Sequence, residues 1–339
     1  MAYVTKTDIG RKRDHNEDAC DAFETRINGV RYTVLALADG MGGLEAGEVA
    51  SSIFIGTVRS VLGEYANGRR KSWRVKKALQ DIFAEANRAI HQEAKARSAV
   101  QMGTTGVVAL IDELDCTLAW VGDSRAYHYH KRDSRLLQIS RDHSLVQSLV
   151  DAGRLSEEDA LIHPKRNVVL RGVGIDPDDG PPDLLQFSLK KGDILLLCSD
   201  GLSNEVPRSF MERNCRMYAQ DGTDVAKTGT KASSETSAAG EILPIPSLTV
   251  IGDRLIRAAN ENGGKDNITV VIYESPGITR AMAVIRFTLL ALTAVFLFIS
   301  VFLLIKIITL DAGTKKNGQQ TSVNNGKNNQ VQKKMTGNR

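Results

Sequence analysis

The sequence predicts an α+β fold of antiparallel sheets with helices packed outside them, followed by one transmembrane helix near the C-terminal end. Three observations lead there. Short apolar runs follow one another across short polar connections, as antiparallel strands do. Two long amphipathic segments stand together between groups of these runs, which suggests helices laid on the outside of the sheets. A 19-residue apolar run without a charge, FTLLALTAVFLFISVFLLI, occupies 287–305.

The elements can be justified in order. Runs at 19–25 and 31–38 flank Asn28-Gly29, a strong hairpin signal. A helical pattern covers 46–65, with Ala50, Ile53, Val58, Val61 and Leu62 near helical spacing. A second covers 73–96 and places Val75, Leu79, Ile82, Phe83, Ala86 and Ile90 on one face. Strand-like runs follow at 106–111, 116–121, 126–130 and 136–139, then at 184–189, 194–198 and 268–273. The stretch 221–246 is rich in Gly, Ser, Thr and Ala and is expected to be a flexible insertion, an idle linker. From 247 to 274 a helix-then-strand pattern returns.

A membrane-spanning helix needs about 20 residues, and 287–305 is interrupted only by Thr288, Thr293 and Ser300. Arg280 and Arg286 precede it and Lys306, Lys315 and Lys316 follow, so flanking charge leans slightly against a cytoplasmic N-terminal part. The opening MAYVTKTDIGRKRD lacks the apolar core of a signal peptide. On that ground a single-pass protein of the cell membrane is expected, with residues 1–275 in the cytoplasm and the tail crossing. The tail, 306–339, holds seven Lys or Arg against one acid, a net +6. The whole chain is +4, so residues 1–305 carry −2 and the basic balance belongs to the tail. The tail is expected to be disordered. Aromatics are 5%, which offers no stacking platform for nucleic acid, and no nucleic-acid partner is expected. Cys20, Cys116, Cys198 and Cys215 lie far apart without a CxxC pair, as free thiols of a reducing compartment do.

The chemistry is carried by acids beside glycines at strand ends. Arg13, Glu17 and Asp18 lie in GRKRDHNEDA; Asp39 follows VLALA and opens DGMGG; Asp123 sits in VGDSR. Asp200 follows ILLLCS and opens DGL, and Asp266 sits in GGKDN before ITVVIY. Any one of these could merely mark a turn. Asp39, Asp123 and Asp200 each end an apolar run, where an unpaired carboxylate is costly. Crowded carboxylates repel, and a divalent cation relieves that. No His or Cys has ligand spacing within the set, so all-oxygen ligation favours Mg2+ or Mn2+ over Zn2+. Two such ions activate water and clamp an in-line displacement. That suits phosphate esters, with Arg13 placed to grip phosphate oxygens.

The ordered series RxxxED, DGMGG, MGTT, VGDSRAY, DHS, SDGL and GGKDNITVV closely resembles the metal-dependent protein phosphatases of type 2C in their bacterial form, over about 3–274. The resemblance implies a four-layer sandwich of two antiparallel β-sheets flanked by α-helices. It implies that Asp18 and Asp39 hold the core Mn2+ or Mg2+ ions, Asp39 bridging, with the carbonyl of Gly40 contributing. Asp200 and Asp266 would complete the second ion's shell, Glu17 would bind through water, and Asp123 with Asp200 would hold a weaker third ion. Arg13 matches the phosphate-binding arginine. The attacking group would be a metal-bridging hydroxide, without a phosphoenzyme. Substrates would be phosphorylated Ser/Thr proteins, and a cognate Ser/Thr kinase would be the opposing partner. The stretch 142–174 matches the flap beside the active site; Gly153 and Ser156 there read as a helix end and a new N-terminus.

Met41 departs from the eukaryotic pattern, which has a His proposed as general acid; methionine cannot donate a proton. His15, between Arg13 and Glu17, is a candidate donor, with a plain surface histidine as the alternative. Three other readings of the chain are a catalytically silent pseudophosphatase or membrane-anchored binding module, which would be expected to lack a ligand acid, a membrane scaffold that works through its span and tail, and a small-molecule phosphatase. No ligand acid is missing.

Overall fold

Runs that are apolar at every position, such as VLALA and ILLLC, require burial on both faces of a strand. The computed structural model of the chain describes residues 3–42, 45–97, 102–228, 247–276, 293 and 295–301, and in it these runs lie at the centre of two stacked antiparallel sheets. The first sheet has the order β1-β11-β10-β7-β8. Its strands are β1 (Tyr3–Asp8), β7 (Arg125–His130), β8 (Arg135–Gln138), β10 (Ile194–Cys198) and β11 (Ile268–Glu274). The second sheet has the order β2-β3-β5-β6-β9, with the two-residue β4 (Gly103–Thr104) paired to the end of β3. It is built from β2 (Asp18–Ile27), β3 (Val30–Met41), β5 (Gly106–Asp112), β6 (Asp115–Val121) and β9 (Asp183–Ser188).

Alternation along each strand sorts the side chains into three cores. Val34, Ala36 and Ala38 of β3 face α1 (Ala46–Ala66) and α2 (Val75–Ala96), where Phe54, Val58, Leu79, Ile82 and Phe83 meet them. Leu35 and Leu37 of the same strand face the other sheet, among Leu195, Leu197, Val271 and Tyr273. Ile194, Leu196 and Cys198 of β10 point outward against α6 (Arg208–Thr228) and α7 (Leu248–Glu261), meeting Met211, Cys215, Ile251 and Leu255. The result is helix, sheet, sheet, helix, as the resemblance implied. The hairpin turns on Asn28 (φ 51°) and Gly29 (φ 82°), both left-handed, as a two-residue turn of the right twist demands.

Some elements were not foreseen. Strand β1 is short and polar at its last four residues, and its order comes from pairing with β11, Tyr3 opposite Tyr273 through Asp8 opposite Ile268. Strand β4, the short α5 (Asp200–Ser203) and α6 likewise had no clear signal. Helix α6 also corrects the expected linker at its start, because 221–228 are helical. Each added residue gains a hydrogen bond on an existing helix, which outweighs the poor propensity of Gly222. Residues 229–246 lie outside the described residues.

The flap stretch holds α3 (Leu145–Asp151) and α4 (Glu157–Ile162). Ser144 and Ser156 cap them, accepting from the backbone N–H of Gln147 and Asp159, and Gly153 adopts φ 65° between them. The cysteines are free.

The chain divides into two compact units, Met1–Gly277 and Ile278–Arg339. Of the apolar run 287–305, Thr293 and 295–301 are described and helical, with Phe296, Leu297 and Phe298 strongly exposed. Among the described residues no helix is long and apolar enough to cross a membrane. The rest of the expected span and the tail lie outside the described residues.

Candidate metal centre

The pairing of β2 with β3 sets Asp18 directly opposite Asp39. Like charges opposite one another on neighbouring strands are destabilising, so this register needs a reason beyond folding. Asp200 arrives at the end of β10, as the first residue of α5, and Asp266 in the turn before β11. Asp123 lies in the turn between β6 and β7. The fold thus gathers acids from distant parts of the chain at one end of the two sheets.

Their protonation records the crowding. Burial first, then the charges of Asp18, Asp200, Asp123 and Asp266, hold the Asp39 carboxyl well above its ordinary range. Asp18 is pushed up to about 7 by burial, against hydrogen bonds from Thr269 and Ser199 and with added repulsion from Asp200 and Asp266. Asp123 is pushed up to about 7 by burial and by Asp200, and Asp200 to about 6 by burial and by Asp266. Glu17 is raised by burial, with Arg13 opposing. Each of these carboxylates is placed where a cation would lower its energy.

The fit to hard cations can be tested on the atoms. Glu17 Oε1 and Asp18 Oδ1 are buried without a hydrogen-bond partner. Buried carboxylate oxygens left unpaired are costly, and coordination or a bound water would satisfy them. A Cβ on Gly40 would stand 2.2 Å from the Gly47 carbonyl oxygen and 2.6 Å from that of Glu17. Only glycine lets these backbones approach beside Asp39. The donor set is all oxygen, as Mn2+ and Mg2+ prefer. The residues present therefore fit the implied ions.

Arg13 Nη2 donates to Asp266 Oδ2 at 2.8 Å, and its Nη1 lies 3.7 Å from Glu17 Oε2. Its side chain is 45% exposed, which leaves donors facing solvent at the rim of the acids. His15 is exposed, and its carbonyl accepts from Asn267 Nδ2 at 2.9 Å. Met41 is opposite Gly103 in β4, and its Cε packs beside Gly172 of the flap. Among the described residues no side-chain hydrogen bond orients the His15 ring, and the His15→Ala variant is expected to keep turnover within about tenfold of the parent. Steady-state kinetics at fixed metal would show a much larger fall in kcat if His15 donated the proton.

Several supporting residues escaped the sequence reading. Thr104 Oγ1 and the Thr105 N–H donate to the Asp39 carbonyl at 2.9 and 2.8 Å, and the Asp39 N–H donates to Thr105 Oγ1 at 2.9 Å. Ser199 Oγ donates to Asp18 Oδ2 at 2.7 Å. Asn267 accepts from the Glu17 N–H and donates to the carbonyls of Ile9 and His15, which shapes the loop carrying Arg13. Arg125 grips Asp142 with Nε and Nη2 at 2.7–3.1 Å, tying the base of the flap to the strand beside Asp123. The one available signal was their position inside or beside the quoted motifs. A groove of about 610 Å³ starts at Asp123 and Asp200 and runs beneath the flap past Arg141, Arg166, Arg208 and Glu158.

Among the described residues, one trio of His, Cys, Asp or Glu has ligand atoms all within 4.8 Å of one another: His128, His130 and Asp193. It contains none of the acids above. Acids that share two ions spread more widely than the ligands of one, so the two observations are compatible.

Comparison with known proteins agrees with this geometry. Residues 9–236 match the family model described as protein phosphatase 2C. The serine/threonine phosphatase stp of Listeria welshimeri is 34% identical over 270 residues, covering 79% of this chain and 94% of that protein. The serine/threonine phosphatase Stp1 from Staphylococcus aureus is similar in structure with a TM-score of 0.64 at 30% identity, over 80% of this chain and 94% of that one. The catalytic domain of the serine/threonine protein phosphatase PstP, solved in complex with two manganese ions, gives a TM-score of 0.61 at 30% identity, over 80% of this chain and 96% of that one.

Proposed function

Because the chain belongs to the protein phosphatase 2C family, we propose that its acid cluster holds two Mn2+ or Mg2+ ions and that Arg13 presents phosphoserine or phosphothreonine of protein substrates to them. The chain is a metal-dependent serine/threonine protein phosphatase. The observation that carries the site assignment is the repulsive register of Asp18 opposite Asp39, with oxygens of Asp18 and Glu17 left unpaired. Asp18 and Asp39 hold the core ions, Asp200 and Asp266 complete the set, and Glu17 acts through water. Asp123 with Asp200 serves a weaker outer ion, and the Gly40 carbonyl contributes beside Asp39. When bound, the paired ions make water nucleophilic at neutral pH and neutralise charge on phosphoryl oxygens.

The chain's own residues do the rest. Arg13 stands at the rim with free donors and can bind two phosphate oxygens as a fork. Asp266 and Glu17 hold that fork in place. Thr104 and Thr105 fix the backbone of Asp39, and Ser199 orients Asp18, so the acids cannot relax apart. The groove under the flap supports a peptide substrate: it leads away from the acids and is lined by Arg141, Arg166, Arg208 and Glu158. The proton for the leaving alkoxide has no side-chain donor at Met41, and solvent is the supply the geometry favours.

The test is release of phosphate from a phosphothreonine peptide by purified protein with and without Mn2+. Activity strictly dependent on the ion is expected, and inactivity of the folded protein at saturating Mn2+ would favour a silent binding module. Arg13→Ala is expected to lower kcat/KM by about 10- to 100-fold, mostly through KM, because it removes charge-assisted hydrogen bonds to phosphate. An unchanged KM would remove Arg13 from this role.

The apolar run 287–305 anchors the protein in the cell membrane in this reading, with the phosphatase unit in the cytoplasm opposing a Ser/Thr kinase. The support is the uncharged 19-residue run, the exposed apolar helix at 295–301, and free thiols suited to a reducing compartment. The full chain is expected in a membrane pellet that resists alkaline carbonate, and a chain ending at 277 in the supernatant. The full chain in the supernatant would reject the anchor.

A further inference from the structure

At the other end of β7 lies a cluster that the phosphatase chemistry does not use. His128 and His130 alternate along the strand and so share the face that looks toward the second sheet. Their rings lie 3.9 Å apart between centroids, and the His128 ring lies 5.2 Å from Phe187 of β9. Asp193, just before β10, reaches the same point and accepts from His128 Nε2 at 3.0 Å. His128 and Asp193 are 3% and 2% exposed, while His130 is half-buried and opens the cluster to solvent. Ligand atoms of all three lie within 4.8 Å of one another.

We propose that His128, His130 and Asp193 form a second metal site, selective for Zn2+ or a similar borderline transition ion, separate from the acid cluster. Two imidazole nitrogens and one carboxylate oxygen suit such an ion, whereas the all-oxygen acid cluster suits harder ones. Asp193 is pre-set for ligation. Its Oδ1 accepts from the Lys131 N–H at 3.1 Å and its Oδ2 from the Lys190 N–H at 2.9 Å. These backbone bonds use two of about four lone-pair directions; ligation through His128 Nε2 would move its proton to Nδ1 and exchange its bond to Oδ2 for the ion. Backbone donors behind a ligating carboxylate are the orienting contacts that metal sites need. A fourth position, toward solvent past His130, is left for water.

The site is remote from the reaction. His130 lies five residue steps along β7 from Arg125, about 16 Å at strand rise. An ion there would link β7, the β9–β10 connection and the ring of Phe187 into one clamp between the sheets. Its effect is structural: the folded state gains the ion and the unfolded chain does not.

The experiment uses the purified full chain, stripped with chelator and then kept in excess Mn2+ to fill the acid cluster. Co2+ is added as the probe, because four-coordinate Co2+ with imidazole ligands absorbs strongly in the visible and six-coordinate all-oxygen Co2+ only weakly. One equivalent of strongly absorbing Co2+ is expected, displaced by Zn2+, with a higher melting midpoint in Zn2+. His130→Ala, at the half-buried position, is expected to weaken Zn2+ binding at least about tenfold while leaving Mn2+-dependent hydrolysis unchanged. His130→Asn serves as a second variant should the alanine form melt early. Absence of the absorption band in the parent, or an equal band and affinity in both folded variants, overturns the proposal and leaves a plain His–Asp hydrogen bond.

Discussion

Asp39→Asn is expected to lower Mn2+-dependent kcat/KM on the order of a thousandfold or more while raising the melting temperature of the metal-free protein. The two effects share one cause. Asp39 stands opposite Asp18 and feels the charges of Asp200, Asp123 and Asp266. In the metal-free state its ionised form is repelled from four sides, so a neutral amide of the same shape relieves the fold. In the loaded enzyme that same charge is what attracts the ions, and the amide weakens both their binding and the chemistry they supply. The backbone of Asp39 is held by Thr104 and Thr105, not by its carboxylate, so the substitution should not disturb β3. Phosphatase assays across a Mn2+ titration and thermal melts in chelator measure the two arms. A variant that lost activity and also melted earlier would show Asp39 to be structural.

Metal-free protein is expected to be more stable near pH 5 than near pH 8, and Mn2+ is expected to reverse that order. Asp18 and Asp123 are held at about 7 and Asp200 at about 6, against an unfolded value of 3.8. The folded state therefore binds more protons than the unfolded chain between about 4 and 7. Stability from these groups is complete below about 4 and is lost as pH rises through 6 to 7. His130 and His143, lowered by burial, act in the opposite direction below 6.5. The acids are more numerous and deeper, so their sign prevails. Mn2+ binds the deprotonated acids, so its stabilisation grows over the same interval. A difference of roughly 5 °C between pH 5 and 8 in chelator is expected for a domain of this size, shrinking in Asp39→Asn. Melting curves that rise with pH in chelator would contradict the assignment of these carboxylates as a crowded, buried set.

Much of this was legible without coordinates. The acids beside glycines at the ends of apolar runs could be placed near strand ends, because a strand buried on both faces rarely continues far past a charge. Asp200 follows β10 as that argument expects, whereas β3 runs on past Asp39 to Met41, held by its pairing with β4. Periodicity placed α1 and α2 nearly to their ends, and the helix-then-strand pattern anticipated α7 and β11 without their bounds. Strand β1 and helix α6 were not legible, because one is ordered by its partner strand and the other by packing on a sheet.

The residue types and their order pointed to the chemistry: oxygen ligands for hard ions, an arginine expected to bind phosphate, no side-chain acid at Met41. Only the tertiary structure decided that Asp18 faces Asp39, that Asn267 holds the Arg13 loop, and that His128, His130 and Asp193 share one point between the sheets. Strand periodicity is local and can be read along the chain, whereas register and sheet order join residues far apart in it, as Tyr3 and Tyr273 are, and no local pattern encodes which of them meet.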